Sequence, residues 1–442
     1  LVRSAEHWLT PSVAGNLARR DTSGRAIGLA TLLKLKIDRA LQQSAQSSRI
    51  SHCSSGKPVR DSAPAKIGPS LDGLQKDAWG EGCANLWHAL VLSMRRVIAP
   101  KKNLCVLATV RNEGPYLIEW IAYHKLLGVE HFFIYTNDNE DGSNTVLELL
   151  HSNGIITLIH NSVPLGGSAQ NKAYAHALSV DTQILNYHWC AIIDADEFIR
   201  FDVAKNHNIV EFLSGGEFEE ADALALNWRN MSPSEASTSQ RSDLVLKDQI
   251  CYAEEVNRHV KCIIRPRKFI RSSPHIPTTD RRYGATFMAA DGSEYCSLID
   301  RDPKVEKINA ALSARPSSSP CYIAHYLFKS IPEFAVKRSR NGGDLPLTGG
   351  DVIMTVAPNQ SSHFIDTVTA QQQSAPLDDN IIRRLEESVL ELRRLPNMES
   401  ALARCDQWRS ERFIAVREFY KKEIHTIQDE AANRFARLVI HH

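Results

Sequence analysis

The chain has 442 residues, enough for one large domain or for two to three ordinary ones. Its hydrophobic share of 43% and charged share of 23% are typical of a soluble globular protein, and no apolar stretch is long enough to span a bilayer. The nine cysteines lack the paired spacing of a zinc site, and the aromatic share of 7%, without alternating basic residues, argues against a nucleic-acid-binding module.

The formal net charge of +1 hides an uneven distribution. Residues 1–102 carry 16 Lys/Arg against 7 Asp/Glu, whereas the remainder carries 36 against 44. This basic N-terminal region indicates either a solvated, partly disordered extension or a segment that contacts an anionic membrane surface. Because the sequence starts without a secretory signal pattern and shows no disulfide pattern, we expect a cytoplasmic protein, with peripheral membrane contact as the further option.

The sequence predicts little regular secondary structure in the first hundred residues. Leucines at helical spacing predict a helix over 26–43, and a second short helix is predicted over 84–98. Residues 46–70, rich in Ser, Gly and Pro, are typical of a linker. We therefore predict three regions, which are an N-terminal extension over 1–102, a main domain over 103–345, and a linker with a charged helical region over 346–442.

From residue 103 onward, apolar strands alternate with amphipathic helices. Strands are predicted over 104–110, 131–136, 155–160 and 189–193. Between them, helices are predicted to begin at Pro115 and to span 145–151 and 169–185. This alternation predicts an α/β fold with a Rossmann-like, mostly parallel sheet and flanking helices. Later in the chain we predict strands over 223–228, 260–265 and 321–327, and helices over 332–340 and 378–439.

The most specific motif follows the strand at 189–193, where an apolar run ends in Asp194, Asp196 and Glu197. If the strand continues through them, Asp194 and Asp196 lie on the same face, because side chains alternate along a strand. Carboxylates at the carboxyl end of a buried strand repel each other unless a cation joins them. Oxygen ligands beside a substrate phosphate favour Mg or Mn. The sequence therefore predicts a metal–diphosphate site, with Asp194 and Asp196 as ligands.

Polar residues also follow the first two strands. Arg111, Asn112 and Glu113 lie at the carboxyl end of the first strand, where parallel sheets bind ligands, although Asn112 and Glu113 also suit a turn or a helix N-cap. Asp138 and Asp141 follow the second strand, in a loop whose composition is typical of a turn.

These motifs together resemble the glycosyltransferase family 2-like and family 92-like proteins. The matching blocks lie at 107–135, 194–198, 260–266, 275–277 and 325–337. The resemblance covers residues 103–342 and implies a GT-A fold with an Asp-x-Asp motif. It further implies a UDP- or GDP-linked sugar donor, a glycan or glycoconjugate acceptor, Mn or Mg as cofactor, and a role in polysaccharide or glycoconjugate assembly.

The resemblance also assigns roles to single residues. It implies that donor contacts are made by Arg111, Asn112, Glu113, Asp138, Gln170 and Asp194. It also implies that His325 is the third metal ligand beside Asp194 and Asp196. A surface position for Gln170 and a hydrogen-bonded core position for His325 are the alternatives. Finally, the basic residues Lys329, Lys337 and Arg340 face either the diphosphate or solvent.

No catalytic base can be chosen from the sequence. An inverting transfer needs a carboxylate to accept the proton of the acceptor hydroxyl. The later loops offer six candidates, namely Glu235, Asp243, Asp248, Glu254, Glu255 and Asp280. The segment beginning at Trp228 departs from the Trp-x-x-Phe-Gly of the family, which leaves the acceptor site open. The alternatives are a nucleotidyltransferase, although the Gly-rich basic loop it needs is lacking, and a non-catalytic sugar- or partner-binding protein with the same fold.

Overall fold

The structure is a computed structural model that describes residues 95, 98–163, 167–201, 208–233, 244–278, 285–298, 311–339 and 372–442. The predicted helix over 26–43, nearly all of the helix over 84–98 and the linker over 46–70 lie outside these residues. Membrane contact by the basic N-terminal region therefore stays a prediction. Within the described ranges, no helix combines the length and the apolar character needed to cross a bilayer.

Strands and helices alternate as the sequence predicts as far as the fourth strand. The strands are β1 (Lys102–Val110), β2 (His131–Thr136), β3 (Ile156–His160), β4 (Tyr187–Ile192), β5 (Glu197–Phe201), β6 (Ala223–Ser232), β7 (Cys251–Ala253), β8 (Val260–Ile264), β9 (Phe287–Ala289), β10 (Cys321–His325) and β11 (Gln372–Ser374). The α-helices are α1 (Gly114–Leu126), α2 (Ser143–Ser152), α3 (Ala169–Ser179), α4 (Ile209–Leu213), α5 (Val245–Asp248), α6 (Ile331–Arg338), α7 (Asp379–Arg393), α8 (Met398–Glu423) and α9 (Glu430–His441).

These strands form one mixed sheet with the main path β11-β7-β6-β8-β4-β1-β2-β3. The four strands at the β3 end are parallel, with Val106 of β1 opposite Phe132 of β2 and Ala191 of β4. Beyond β4, strand β8 runs antiparallel to both β4 and β6, while β10 lies between β5, to which it is antiparallel, and β6, to which it is parallel. The predicted parallel arrangement therefore holds as far as β4, and the sheet is mixed after it.

Side-chain alternation along β1 divides the core into two layers. Leu104 and Val106 belong to the larger hydrophobic cluster, which includes residues of α1, α2, α7 and α8. Cys105 and Leu107 belong to a second cluster, which includes residues of α3. Strands β1, β2 and β4 are largely buried and have continuous apolar sequences, which is why they were readable from the sequence.

Helix α1 links the first strand to the motif that follows β4. Pro115 stands in its first turn, where a missing N–H has no cost, and Gly128 after its end has a φ of 100°, a conformation that suits glycine. The buried Trp120 donates from Nε1 to the backbone carbonyl of Glu197 (2.8 Å). Helix α1 therefore holds β5 at the residue where the acidic motif ends.

Several elements differ from the prediction, and the short strands β5, β7, β9 and β11 were not predicted. The helix predicted over 169–185 ends at Ser179, because Asp181 accepts a hydrogen bond from the Gln183 N–H (2.9 Å) and starts a separate 3-10 turn over Gln183–Asn186. Strand β5 is an element that the sequence pattern did not reveal. Its strand partner among the described residues is β10, far along the chain, so no local turn signal marks it.

The charged C-terminal helices are built into the core of the sheet. Leu385 and Leu392 of α7 and Cys405 of α8 belong to the same hydrophobic cluster as Trp120 of α1. A smaller cluster, which includes Phe334, joins α8 to α6 and α9. The helices predicted beyond residue 378 are therefore confirmed as helices, and they cover α1 and α2.

Helix α8 comes very close to the backbone at Gly114. A Cβ atom built on this glycine would lie 2.5 Å from the Cys405 Sγ and 3.1 Å from the Ser143 Oγ. The Gly114 N–H also donates to that Ser143 hydroxyl (2.9 Å). The glycine in the Arg-Asn-Glu-Gly segment is therefore needed for α8 to pack against the start of α1.

We expect Gly114→Ala to lower the free energy of unfolding by about 1–3 kcal/mol, because an added methyl group overpacks this contact. Urea unfolding of Gly114→Ala, Cys405→Ala and the double variant measures the effect. The double variant should be more stable than the sum of the single effects implies, since removing the sulfur makes room for the methyl group. If the stability changes of the two single variants simply add in the double variant, Cys405 is not the reason that residue 114 must be glycine.

Candidate functional site

The acidic motif forms a tight turn between β4 and β5. Strand β4 ends at Ile192, and the Glu197 N–H donates to the carbonyl of Asp194 (3.0 Å). The Glu197 carboxylate in turn accepts a hydrogen bond from the Asp194 N–H (2.9 Å). The alternation of side chains along β4 therefore stops before Asp194 and Asp196. The prediction that strand alternation places both residues on one face was wrong, and their carboxylates contact different partners.

Asp194 lies between an amide and an ammonium group. Gln170 of α3 donates to its Oδ1 (2.9 Å), and Lys261 of β8 donates to its Oδ2 (2.7 Å). The Lys261 side chain is 1% exposed, and its Nζ also lies 3.5 Å from the Glu197 carboxylate. Burial opposes the charge of Lys261, but Asp194 and Glu197 raise the pKa of Lys261 above its ordinary value. Removing this ammonium would leave the partly exposed Asp194 carboxylate and the buried Glu197 carboxyl group without a cationic partner.

Lys261 is a site residue that the sequence analysis did not single out. The signal was present, because Lys261 is the one charged residue of the short apolar strand Val260–Ile264. Lysine is almost never fully buried unless it is paired. A lysine in the middle of an apolar strand therefore indicates a carboxylate partner, although the sequence does not say which one.

Asp196 is held by the elements that follow β6. Its carboxylate contacts the ammonium of Lys337 on α6 and lies 3.5 Å from the Nε2 of His325. Burial opposes ionisation of Asp196, but Lys337 and His325 hold the pKa of this carboxyl group well below its usual range. The Tyr326 N–H donates to the Asp196 carbonyl (2.8 Å), so the backbone after β10 fixes the same turn.

His325, the last residue of β10, is 6% exposed. Its ring packs against Trp228, with 4.2 Å between the ring centroids. Burial lowers the pKa of His325, so the imidazole is neutral at neutral pH. Its Nδ1 has no hydrogen-bond partner within the described residues. A neutral imidazole beside a carboxylate is a donor pair that suits Mn better than Mg.

The three predicted metal ligands are only partly brought together. Asp196 and His325 are neighbours, whereas both oxygens of Asp194 are bonded to Gln170 and Lys261. In the described part of the chain, no group of three or more His, Cys, Asp or Glu side chains is arranged to hold a metal ion. Asp196 and His325 therefore offer two ligand groups, at the place where the Lys337 ammonium lies in the structure.

The residues predicted to contact the nucleotide shape the loops after β1 and β2. Asn112, with a φ of 54°, accepts a hydrogen bond from the Glu140 N–H (2.8 Å) and so ties the two loops together. Arg111 donates from Nε to the carbonyl of Asp138 (3.3 Å), and the Asp138 side chain is exposed. The nucleotide contacts of Arg111, Asn112 and Asp138 stay predictions.

Asp141 and Glu113 have different environments. Asp141 is buried and accepts hydrogen bonds from the N–H groups of Ser143 (2.9 Å) and Gly114 (3.3 Å), which is the turn role considered for it. Glu113 is also buried, but its side chain makes no capping hydrogen bond to α1. The Glu113 carboxylate instead lines a cleft at this edge of the sheet.

This cleft runs between the loop after β1, helix α6 and helix α8. It is lined by Asn112, Glu113, Tyr116, Leu327, Lys329, Glu333, Val336, Lys337, Trp408 and Arg409. The lining brings together two parts of the predicted site, the loop after β1 and the segment after β10. It also includes α8, which the sequence analysis had not associated with the site.

Lys329 is the unusual cation of the cleft. Its side chain is buried, its Nζ lies over the ring of Tyr116 (3.9 Å to the centroid), and it forms no ion pair within the described ranges. Burial lowers the pKa of Lys329 to about 8, against the opposing effect of Glu113. Lys329 and Lys337 therefore line one cleft, and the solvent-facing alternative was wrong for Lys329. Two ammonium groups in one cleft suit an anionic ligand.

The structure does not select a catalytic base. Of the six carboxylates considered, Glu235, Asp243 and Asp280 lie outside the described residues. The other three, Asp248, Glu254 and Glu255, are exposed.

Comparison with known protein families identifies the segment that carries the acidic turn. Residues 104–297 match the model of Glycosyltransferase family 92. This segment runs from β1 past β9 and contains the acidic turn, Gln170 and Lys261. It ends before His325, α6 and the C-terminal helices.

Several relatives carry the same family name. At1g27200, a family 92 protein of Arabidopsis thaliana, is 31% identical over 173 residues, which cover 38% of this chain and 29% of that protein. Os08g0121900 of Oryza sativa subsp. japonica is 32% identical over 114 residues, 24% of this chain and 19% of that protein. The β-1,4-galactosyltransferase galt-1 of Caenorhabditis elegans is 29% identical over 188 residues, 40% of this chain and 42% of that protein. The chain thus matches less than half the length of each relative.

Among solved structures, that of S. aureus TarS 1-349 aligns with 72% of this chain and 91% of that chain, at 11% identity and a TM-score of 0.27. A likeness of this size carries no argument about the site. The predicted α/β fold with a Rossmann-like parallel sheet is confirmed as far as β4, and the sheet is mixed beyond it. The resemblance to family 92 is confirmed over residues 104–297, where the chain matches the family model and is similar to family 92 proteins.

Proposed function

We propose that this chain is a glycosyltransferase that moves a sugar from a nucleotide-sugar donor to a glycan or glycoconjugate acceptor. The observation that carries this proposal is the cleft lined by Lys329 and Lys337, where the Lys337 ammonium contacts Asp196. A diphosphate is an anionic group that such a cleft suits. The family 92 match supports the same reaction class, and the name of the C. elegans relative makes galactose the first sugar to test.

The proposed chemistry needs positive charge beside the leaving group. Transfer breaks the bond between the anomeric carbon and the diphosphate oxygen, and forms a bond from that carbon to the acceptor oxygen, whose proton passes to a base. Negative charge grows on the departing diphosphate, and fixed positive groups beside it lower the barrier. We assign this role to Lys329 and Lys337.

We also propose that the site takes a divalent metal, Mn in preference to Mg. Asp196 and His325 would hold the ion, which would neutralise charge on the departing diphosphate. Asp196 suits the role because it is ionised, and His325 because it is neutral. Asp194 is bonded to Gln170 and Lys261. It would therefore stabilise the turn that carries Asp196 and would not be the sole ligand of the ion.

A nucleotide-sugar panel tests the proposed reaction against its alternatives. We expect release of nucleoside diphosphate when the protein is incubated with Mn and UDP- or GDP-linked sugars, beginning with UDP-galactose. A nucleotidyltransferase would instead release pyrophosphate from a nucleoside triphosphate and a sugar phosphate. A binding protein would hold the nucleotide sugar without turnover, and either result would replace the proposal.

We predict that Lys329→Met weakens the binding of UDP or GDP by about tenfold or more. The reason is the loss of a charge-assisted hydrogen bond, worth about 1.5–3 kcal/mol. Isothermal titration calorimetry measures the change. Lys247→Met is the matched control, because Lys247 is half exposed and pairs with Glu386 on the surface. Equal binding by the two variants would exclude Lys329 from the donor site.

The lowered pKa of Lys329 predicts that nucleotide binding depends on pH. Lys329 is cationic below a pKa of about 8 and neutral above it, so affinity for a nucleoside diphosphate should fall as the pH rises from 7 to 9.5. Lys329→Arg should remove this fall, because a guanidinium group stays charged throughout the range. Titration calorimetry at a series of pH values provides the comparison, and a flat profile for the unchanged protein would contradict the prediction.

The metal proposal predicts different effects for the three suggested ligands. Asp196→Asn and His325→Gln should each raise the Mn concentration that gives half-maximal activity by about tenfold or more. Asp194→Asn should reduce activity with a smaller change in that concentration, because Asp194 is bonded to Gln170 and Lys261. If His325→Gln lowers the melting temperature of the metal-free protein and leaves the Mn titration unchanged, His325 is a core residue.

A further inference from the structure

Helix α8 forms one wall of the cleft from outside the segment that matches family 92. The match ends at residue 297, whereas α8 begins at Met398. Trp408 and Arg409 of this helix line the cleft, opposite the loop after β1 that carries Asn112 and Glu113. The family resemblance therefore does not account for this wall.

Arg409 connects α8 to α1 and to α6, the helix that carries Lys337. Its Nη2 donates to the hydroxyl of Tyr116 on α1 (3.3 Å), and its Nε donates to the carboxylate of Glu333 in the first turn of α6 (3.2 Å). Tyr116 is also the ring over which the Lys329 ammonium lies. Since Arg409 is buried, these contacts hold the Tyr116 ring and the start of α6 in fixed positions.

Arg412 holds the other end of α6. Its Nε donates to the hydroxyl of Ser339 and its Nη2 to the carbonyl of the same residue, both at 2.9 Å. Ser339 is the residue that follows the last turn of α6. Lys337 lies between Glu333 and Ser339, so α8 contacts both ends of the helix that presents Lys337 to Asp196.

Trp408 differs from the two arginines because it has no such partner. The side chain is half-buried at the cleft, and within the described ranges it makes no hydrogen bond and no contact with another ring. A large aromatic ring supplies much contact area for a ligand and can stack on a planar base. Of the cleft residues on α8, Trp408 is the one free to touch a ligand.

We propose that α8 completes the donor site. Trp408 contacts the nucleoside diphosphate part of the donor, and Arg409 and Arg412 are positioning residues that hold Lys329 and Lys337 towards the diphosphate. The nucleoside diphosphate part is favoured over the sugar because Lys329 and Lys337, two cations that suit a diphosphate, line the same cleft as Trp408. This inference rests on the proposed function and extends it to a part of the chain outside the family match.

UDP binding to the full chain tests the role of Trp408. We expect Trp408→Ala to weaken UDP binding by about tenfold in titration calorimetry, and Trp408→Phe to weaken it less, because phenylalanine keeps an aromatic face. Gln407→Ala is the matched control, since Gln407 is the neighbouring exposed residue on α8 and bonds only to Glu411 in the described ranges. Melting temperatures of the nucleotide-free variants show that each is folded, and Trp408→Leu replaces the alanine variant if that one is not.

A double-variant comparison tests the positioning role. If Arg412 acts through Lys337, Arg412→Met should raise the KM for the donor in the natural chain and have little further effect in a Lys337→Met background. Arg412→Lys should restore part of the loss. Equal losses in both backgrounds would assign Arg412 a purely structural role and overturn this part of the proposal.

The outcomes separate the inference from the function on which it rests. If UDP binds and the binding depends on Lys329, but Trp408→Ala changes nothing, then α8 does not form part of the donor site and the proposed function stands. If no nucleoside diphosphate binds to the unchanged protein, the proposed function fails and this inference fails with it.

Discussion

The ammonium groups of two lysines stabilise the acidic turn of this protein. Asp194, Asp196 and Glu197 lie within four residues, and carboxylates this close repel each other and resist burial without counter-ions. Lys261 pairs with Asp194 from β8 and lies 3.5 Å from the Glu197 carboxyl group, whose pKa burial raises to about 8, and Lys337 pairs with Asp196 from α6. The turn follows the parallel half of the sheet, yet both cations come from later parts of the chain. The later strands and helices are therefore a condition for the site, since the turn alone would not be stable.

The sequence predicted those features whose signals are local. The strands from β1 to β4 and the helix after β1 were readable because their apolar spacing and their end residues are contained in short segments. The acidic turn was found because its carboxylates end an apolar run. Strand β5 and the partner of Lys261 were not found, because both depend on which distant strands become neighbours. That register is decided by packing, and a single sequence does not display it.

The C-terminal helices show the same limit of prediction from the sequence. Their helical character was plain from Leu385, Val389 and the charged residues between them, but that pattern is also typical of helices that face only solvent. The contact of Cys405 with Gly114, and that of Arg409 with Tyr116, join residues far apart in the chain. The glycine after Arg-Asn-Glu looked like part of a loop, and the structure shows that it is an interhelical contact as well.

The position of Lys337 has a consequence for the exchange of cations at Asp196. Because its ammonium already contacts Asp196, any cation that enters this place competes with one that is tethered to the protein. A tethered competitor acts at a high effective concentration, so it weakens the net affinity for the incoming ion without removing any ligand. The same competitor returns by itself when a product departs. Exchange at Asp196 therefore favours release of a bound cation over its retention.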